Sequence, residues 1–570
     1  MRKRASVESV AEAYLELLAA RRVEYFFGNA GTDFAPIVEA YAKREAQGQV
    51  APRPLTIPHE IPAVAMAHGY AMVTGRPQVV MVHVTVGTAN ALGGIINAAR
   101  ARAPILMTAG RTPITEGGIP GSRNRHIHWA QESFDQAATV REYVKWDYEL
   151  RLGAQLETVV DRALAIATSA PAGPVYLALP REVLSERMTE IEYFDPSRLN
   201  PNAAQAPDPA AVEEAARILA TARNPIAISK SSGRDPAAVA PLATLAEVLG
   251  LPVFEQAWTH LSFPQTHPLY MGSDPAPYLA DADAIVVVEA DAPWFPDLKA
   301  PRPETPVIQI GEDPLYGRYP IRGFAVDVGL AGAPRLTLAA LTEAGRRGRA
   351  DARLVAERRA RWEAEHRRLV EAWAARADAV RRDRPIDMAW VSRCVAQVID
   401  QETIVVNEYD LDLTQTALDV PGSYFSQSPA SGLGWGLGAA LGAKLAAPDK
   451  TVLCCVGDGA YLFGVPTAAH WVARAYNLPV LFVIFNNRVW NAVKRSVTSH
   501  APQGWAVRTK TMVLSDLDPA PDYELVCQAS GGWAERVEDP AALPDALARA
   551  LRVVRDERRQ ALLNVICKKP

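Results

Sequence analysis

The sequence predicts an α/β protein of three domains, each built on a mostly parallel sheet flanked by helices. Short Val- and Ile-rich runs alternate with longer helical patterns along the whole chain, which is typical of βαβ units. At 570 residues the chain is too long for one hydrophobic core. A Pro-rich stretch at 195–211 and a charged helical stretch at 352–383 separate three such regions. We therefore predict domains at 1–190, 205–345 and 385–570.

The candidate core strands are the runs rich in branched and aromatic residues. They are VEYFFG (23–28), VVMVHV (79–84), PILMTAG (104–110) and PVYLAL (174–179) in the first region; PIAISK (225–230), LPVFEQ (251–256), AIVVVEA (284–290) and TPVIQIG (305–311) in the second; and TIVVNE (403–408), TVLCCV (451–456), PVLFVIF (479–485) and ALLNVIC (561–567) in the third. The outer regions also share a pattern: a Gly-punctuated helix of small residues, a Pro turn, a buried strand and a Gly-containing turn. Two related domains flanking a third explain this most simply.

Composition and charge exclude several classes of function. The formal net charge of −4 provides no basic field to attract nucleic acid or anionic lipid. The longest apolar runs are strand-sized, far short of the roughly 20 residues that a membrane-spanning helix needs. The five cysteines show no CxxC spacing, and an odd number cannot pair fully within one chain. We expect a soluble cytoplasmic protein without nucleic-acid or membrane partners.

The most informative motif is Gly457-Asp458-Gly459, directly after the buried strand TVLCCV. The carboxyl ends of parallel strands are where open α/β sheets bind ligands. The glycines would leave the backbone open to a phosphate, and a helix beginning near Ala460 would direct N–H groups toward it. After 26 residues, 460–485, Asn486-Asn487 ends the next strand. Carboxylate and amide oxygens from neighbouring strands favour Mg²⁺ or Ca²⁺ shared with a diphosphate.

This spacing resembles the thiamine-diphosphate-binding motif of the pyruvate decarboxylase and acetolactate synthase superfamily. The resemblance implies that Asp458, Asn487 and the main-chain carbonyl of Val489 bind the metal. It also implies that the three domains are pyrimidine-binding, central and diphosphate-binding. The cofactor contacts that it implies are Glu60, Leu433, Gly457, Asp458, Gly459, Ala460 and Asn487. Ala460 stands where the family usually has Ser, so one phosphate hydrogen bond is expected to be lost.

The family keeps a catalytic Glu in a His-Glu pair before a small-residue helix, and here that pair is His59-Glu60. Such a carboxylate, bonded to the aminopyrimidine, promotes the tautomer needed for catalysis. The alternative is an acid that merely stabilises a helix start. Leu433 in SGLGWGLG matches the apolar residue that bends the cofactor, a role compatible with a core Leu. The resemblance further implies that two chains share each cofactor, so a homodimer is the minimum and a homotetramer is expected.

Three local matches to benzoylformate decarboxylase bear on the substrate. FGNAGTDFAPIVEA places Thr32 at the position of a substrate-binding Ser. HVTVGTAN places His83 at an active-site histidine that acetolactate synthases typically lack, where it would stabilise charge and move protons. The alternative is a histidine satisfied at a strand end. FPQTHPLYMG aligns His267 with a second catalytic histidine, although His-Pro is widespread among relatives.

Other segments complete the predicted pocket. Ala492 and Val493 are expected to line it and Trp490 to wall it. The loop 121–136 would meet an anionic substrate or remain a hydrated surface loop. Ser231-Ser232 replaces glycines that flavin-binding relatives often carry, so FAD is not expected.

The first expectation is therefore a thiamine-diphosphate- and Mg²⁺-dependent lyase acting on a small 2-oxo acid, of benzoylformate decarboxylase type and able to carboligate. The alternatives are an acetolactate synthase-like transferase and a C–C hydrolase acting on a cyclic diketone. A non-enzymatic relative that keeps the fold is disfavoured, because Glu60, Asp458 and Asn487 are all present.

Overall fold

The structure, a computed structural model, describes residues 1–200, 203–347 and 351–569. Within these residues three parallel sheets, each covered by helices, confirm the predicted three-domain α/β fold. None of the described helices combines the length and the apolar character needed to cross a membrane.

The first domain contains a parallel sheet of order β3-β2-β4-β5-β7-β6 and an antiparallel pair, β1 with β8. Its strands are β1 (Arg2–Ser6), β2 (Tyr25–Gly28), β3 (Arg53–Thr56), β4 (Val79–Val82), β5 (Leu106–Arg111), β6 (Asp147–Glu149), β7 (Val175–Pro180) and β8 (Glu190–Phe194). Its helices are α1 (Val10–Ala20), α2 (Ala35–Ala46), α3 (Glu60–Thr74), α4 (Val84–Ala101), α5 (Ile127–Ala130), α6 (Leu156–Thr168) and α7 (Arg181–Ser185).

The central domain has the sheet order β10-β9-β11-β12-β13. Its elements are β9 (Pro225–Ser229), β10 (Val253–Glu255), β11 (Ala284–Val288), β12 (Val307–Gly311) and β13 (Val328–Ala331), with α8 (Pro209–Thr221), α9 (Val239–Leu249), α10 (Ala276–Leu279) and α11 (Pro334–Arg347). The charged helix α12 (Ala352–Val380) leads to the third domain.

The third domain has the sheet order β15-β14-β16-β17-β19-β18. Its strands are β14 (Thr403–Glu408), β15 (Tyr424–Ser426), β16 (Thr451–Gly457), β17 (Val480–Asn486), β18 (Trp533–Val537) and β19 (Ala561–Ile566). Its helices are α13 (Met388–Ala396), α14 (Trp435–Ala446), α15 (Asp458–Phe463), α16 (Pro466–Ala475), α17 (Asn491–His500), α18 (Trp505–Thr509), α19 (Tyr523–Ala529) and α20 (Leu543–Arg555).

The outer sheets have the same topology. In both, the first strand lies between the second and the third, and the sixth lies between the fourth and the fifth. The chain therefore leaves the first and third strands toward opposite sides of the sheet, which opens a crevice at their carboxyl ends. In the first domain this crevice lies between β2 and β4, and in the third between β14 and β16. The shared sequence pattern of the outer regions is explained by this equivalence.

The equivalent small-residue helices, α3 and α14, pack against each other and join the outer domains into one hydrophobic core. A Cβ added to Gly69 would lie 2.1 Å from the main-chain oxygen of Ala439, and one added to Gly442 would lie 2.0 Å from that of Met66. Glycine is required at both positions because backbone faces backbone.

Replacing Gly69 by Ala should lower the melting temperature, since over-packing of this kind costs about 1–3 kcal/mol and outweighs the gain in helix propensity. The matched control is Gly93→Ala in α4, where an added Cβ meets nothing within 4 Å. Differential scanning calorimetry of both variants checks this, and an unchanged or higher melting temperature for Gly69→Ala would contradict the packing.

Strand prediction succeeded for the buried strands and missed short ones: β1, β3, β6, β8, β13, β15 and β18. Five predicted strands also ended too late, those corresponding to β4, β9, β10, β11 and β19. The difference that bears on the site is at β4, which stops at Val82, so that His83 lies between this strand and α4. The predicted domain limits stay predictions, and β8 begins at the first of them.

Candidate active site

The third-domain crevice brings together the predicted metal ligands. Asp458 and Asn487 follow the paired strands β16 and β17. The Asp458 carboxylate is buried and accepts hydrogen bonds from the N–H groups of Gly459 (2.9 Å) and Arg488 (2.7 Å). The Asn487 Oδ1 accepts from the N–H of Val489 at 2.9 Å. These backbone contacts fix both side chains at one edge of the sheet.

A cavity of about 240 Å³ opens beside these residues, and we call it the cofactor cavity after the predicted contacts that line it. Its walls include every third-domain residue predicted from the sequence: Leu433, Gly457, Asp458, Gly459, Ala460, Asn487, Val489, Trp490, Ala492 and Val493. Asp410 and Arg495 also line it and were missed by sequence reasoning. Among the described residues, none from the first domain lines this cavity.

The residues that line this cavity suit a hard divalent cation and a diphosphate. The candidate ligands present only oxygen atoms, which Mg²⁺ and Ca²⁺ prefer. The Oδ1 of Asn491 is buried without a hydrogen-bond partner in the described chain. Gly457 and Gly459 leave room that side chains would fill, since a Cβ on Gly459 would lie 2.2 Å from the Trp490 ring. Helix α15 begins at Asp458, earlier than predicted, and spans only six residues.

Electrostatics in the crevice also favour a cation. Burial raises the pKa of the Asp458 carboxyl to about 6. Burial, reinforced by the charge of Asp458, raises the pKa of Asp410 to about 7. A divalent ion between such groups favours their ionised forms and relieves their mutual repulsion.

Buried polar contacts hold the elements behind the cavity. The Tyr461 hydroxyl lies 2.8 Å from Nε2 of His470, whose Nδ1 lies 2.8 Å from Oε1 of Gln560, and this chain anchors α15. At the start of α14, the Glu408 carboxylate accepts hydrogen bonds from the N–H groups of Gly434, Trp435 and Gly436. Burial nevertheless raises the pKa of Glu408 to about 7.

In the first domain, Glu60 is the first residue of α3 and is buried against α4. His59 caps this helix by accepting from the N–H of Ile61 at 3.1 Å. The Glu60 carboxylate has one weak donor, the Asn90 side-chain amide at 3.4 Å, and a Cβ on Gly87 would lie 3.3 Å from it. The carboxylate therefore keeps hydrogen-bonding capacity for a bound group.

His83 lies at the first-domain crevice, next to the buried carboxylate of Asp33. The close contact of Nδ1 with Asp33 makes that nitrogen the N–H donor and directs Nε2 toward the Gln131 amide at 3.3 Å. The hydrogen bond to Asp33 raises the pKa of His83. Gly31 and Gly110 permit the contact, since a Cβ on either would collide with the His83 ring or with Asp33. Sequence reasoning missed Asp33, although it stands one residue after Thr32 in the same motif.

Thr32 and the loop 121–136 meet at the same crevice. The Thr32 hydroxyl lies 3.3 Å from Nε2 of His128, and Gln131 of this loop faces His83. Burial lowers the pKa of His128, and the positive charge of Arg181 adds to this. The loop is therefore part of the crevice wall, not only a hydrated surface segment.

Replacing Asp33 by Asn should cost more folding stability at pH 6 than at pH 9. Asp33 raises the pKa of His83 in the folded state. Its stabilising contribution is therefore fully present below the usual imidazole pKa of about 6.5 and is lost as the pH rises through the raised value. Melting temperatures of the wild type and Asp33→Asn at both pH values test this. An equal difference at the two values would contradict the pairing.

Two predictions concern residues of the central domain, His267 and the pair Ser231-Ser232. His267 packs edge-on to Phe263 and lies 3.5 Å from the Glu247 carboxylate, and it lines neither the cofactor cavity nor the larger cavity described below. Its substrate role stays a prediction. Ser231 and Ser232 engage Thr259 and Ser229 at 2.9 Å each. The expected lack of FAD also stays a prediction.

Comparison with known proteins agrees with this geometry. The sequence matches the N-terminal TPP binding domain (residues 8–139), the central domain (212–341) and the C-terminal TPP binding domain (410–565) of thiamine pyrophosphate enzymes. It is 27% identical to a benzoylformate decarboxylase of Pseudomonas aeruginosa, over 86% of this chain and 88% of that protein. It is 24% identical to the acetolactate synthase isozyme 3 large subunit of Escherichia coli, over 96% and 93%.

A solved structure shares the fold. The thiamine diphosphate-dependent 4-hydroxybenzoylformate decarboxylase of Rhodococcus jostii RHA1 superposes with a TM-score of 0.77 at 22% identity, covering 99% of both chains. All three family domains are thus matched in order along the chain, and the third-domain residues predicted to bind the cofactor line one cavity. The chain belongs to the thiamine pyrophosphate enzyme family.

Proposed function

We propose that the chain is a thiamine-diphosphate- and Mg²⁺-dependent lyase that decarboxylates a 2-oxo acid, as benzoylformate decarboxylase does. When bound, thiamine diphosphate supplies the carbon nucleophile and the electron sink for breaking a bond next to a carbonyl. Asp458, Asn487 and the carbonyl of Val489 would hold the metal. Glu60 would bind the aminopyrimidine and hold the proton that favours its reactive tautomer.

The observation that carries the decarboxylase assignment is the His83–Asp33 pair at the first-domain crevice. Asp33 fixes the ring so that Nε2 is the nitrogen available to a substrate. When both ring nitrogens are protonated, a histidine held in this way can donate its Nε2 proton to the carbon that loses carbon dioxide, and the neutral ring then recovers a proton from water. Thr32, at the same crevice, would orient the substrate.

The separation of the predicted site residues between the first and third domains supports an active homodimer. Glu60 and His83 belong to the first domain, whereas the metal ligands line a cavity without first-domain residues. Large apolar side chains lie exposed in both outer domains, including Phe134 in the first and Trp505 in the third. A second copy that covered these side chains could bring a first-domain crevice onto a third-domain cavity. A homotetramer in the cytoplasm remains our expectation for the whole assembly.

A larger cavity next to the cofactor cavity supports a substrate bigger than pyruvate. It measures about 960 Å³, lies between the central and third domains, and shares Tyr409 and Ser431 with the cofactor cavity. Trp258, Trp294 and Phe295 are among its walls. Such walls suit an aromatic 2-oxo acid.

One observation favours a second candidate, an acetolactate synthase-like transferase. Arg495 is the only cation lining the cofactor cavity, and it forms no hydrogen bond or ion pair within the described residues. A cation that holds the departing carboxylate would stabilise the ground state more than the transition state. In the transferase reaction, the second 2-oxo acid keeps its carboxylate. Arg495 could therefore bind that carboxylate during the whole reaction.

Product analysis separates these functions. The enzyme, supplied with thiamine diphosphate and Mg²⁺, would be given benzoylformate, pyruvate or both. Carbon dioxide and benzaldehyde from benzoylformate support the proposal, and acetolactate from pyruvate supports the transferase. Ring opening of cyclohexane-1,2-dione, with neither of these products, would support the hydrolase instead.

Replacing His83 by Ala should lower the turnover number by about 10²- to 10⁴-fold, the usual contribution of a positioned acid–base group. Affinity for thiamine diphosphate should not change, because His83 is not among the implied cofactor contacts and its ring is held by Asp33 and Gln131. Steady-state kinetics and calorimetric titration measure the two quantities. Equal activity of the variant and the wild type would remove His83 from the mechanism.

A further inference from the structure

Asp410 has a backbone conformation that is unusual for a residue other than glycine. It follows β14 by two residues, and both Tyr409 (φ 66°) and Asp410 (φ 77°) are left-handed. Residues other than glycine are uncommon in this region, and such strain concentrates at functional sites. The conformation turns the chain at the crevice between β14 and β16.

The Asp410 carboxylate is placed against the metal crevice. Its Oδ2 lies 2.6 Å from the point that a Cβ of Gly457 would occupy, so Gly457 provides the space that this carboxylate fills. The residue lines the same cavity as Asp458, Asn487 and Val489. Within the described residues its side chain forms no hydrogen bond or ion pair.

Two carboxylates and one guanidinium line this cavity, those of Asp410, Asp458 and Arg495. Within the described residues Arg495 forms no ion pair with Asp410, so the Asp410 carboxylate is not held away from the crevice. A divalent ion at Asp458 is the partner that the arrangement lacks.

We propose that Asp410 adds a second carboxylate to the divalent-ion site, touching the ion directly or through one of its waters. The inference rests on the proposed function, since it needs the ion that Asp458 and Asn487 would hold. It makes the site more anionic than the implied set of one carboxylate, one amide and one carbonyl.

The test is a Mn²⁺ titration, followed by electron paramagnetic resonance, with thiamine diphosphate at saturation. Asp410→Asn should bind Mn²⁺ about 10- to 100-fold more weakly than the wild type, the usual effect of losing a group that supports a metal site. Asp410→Ala should bind Mn²⁺ at least as weakly as Asp410→Asn. Asp449→Asn is the matched control, because it removes the same charge from an exposed turn at the opposite end of β16. Circular dichroism would show that all variants fold.

A second titration separates the ion from the diphosphate. At saturating Mn²⁺, thiamine diphosphate should bind Asp410→Asn no more tightly than the wild type. Unchanged Mn²⁺ affinity in Asp410→Asn, or tighter cofactor binding, would overturn the inference while leaving the proposed function intact. Failure of the wild type to bind Mn²⁺ with the cofactor would overturn both.

Discussion

Asp458→Ala should lose metal-dependent binding of thiamine diphosphate, with apparent cofactor affinity falling by at least about 100-fold. Asp458 is the only charged group among the three implied ligands, and its two backbone hydrogen bonds hold it in place. Isothermal titration calorimetry in the presence of Mg²⁺ measures the loss.

Without cofactor and metal, the same substitution should not destabilise the protein. Burial disfavours the charged form of Asp458, so removing it should leave the melting temperature of the cofactor-free protein unchanged or higher. The rise in melting temperature that cofactor and Mg²⁺ cause in the wild type should disappear in Asp458→Ala and persist in Asp449→Ala. A variant that still binds the cofactor with wild-type affinity would show that Asp458 is not a ligand.

Glu60→Gln should lower the turnover number by about 10²- to 10⁴-fold while the cofactor still binds. The Glu60 carboxylate is buried at the start of α3, and within the described residues its one hydrogen-bond donor is the Asn90 amide at 3.4 Å. Glutamine has the same shape but cannot hold the proton that the aminopyrimidine needs.

Nuclear magnetic resonance of the exchange of the thiazolium C2 proton isolates this step from substrate binding. Exchange should slow in Glu60→Gln and stay at the wild-type rate in Glu39→Gln, which changes an exposed residue of α2 in the same domain. Fast exchange in Glu60→Gln, with normal affinity, would leave Glu60 as a structural helix-start acid.

The parts of the molecule that were predictable from sequence depend on short-range signals. The fully buried strands β16 and β17 are continuous apolar runs, and the polar residues that interrupt them at their carboxyl ends identified Asp458 and Asn487. The missed strands lack such a signal: β6 spans three residues, all half-buried, and β3 is mostly exposed. Their pairing depends on the neighbouring strand rather than on their own composition.

The missed site residues depend on contacts between distant segments. Asp33 meets His83, 50 positions away, because β2 and β4 are adjacent in the sheet. Asp410 reaches the metal crevice because β14 and β16 are adjacent and because its backbone is left-handed. In both cases the sequence does not show which strands are neighbours in the sheet. If the repeated pattern had been used to infer that β2 neighbours β4 and that β14 neighbours β16, the residues that follow β2 and β14 would have been candidates.

The most direct test of the account is a crystal structure grown with thiamine diphosphate and Mn²⁺, with data collected for the anomalous signal of manganese. We expect one strong anomalous peak within bonding distance of the Asp458 carboxylate, the Asn487 amide oxygen and the Val489 carbonyl, with diphosphate density beside Gly457 and Gly459. A cofactor bound elsewhere, or a crevice that holds no manganese when the cofactor is present, would contradict it.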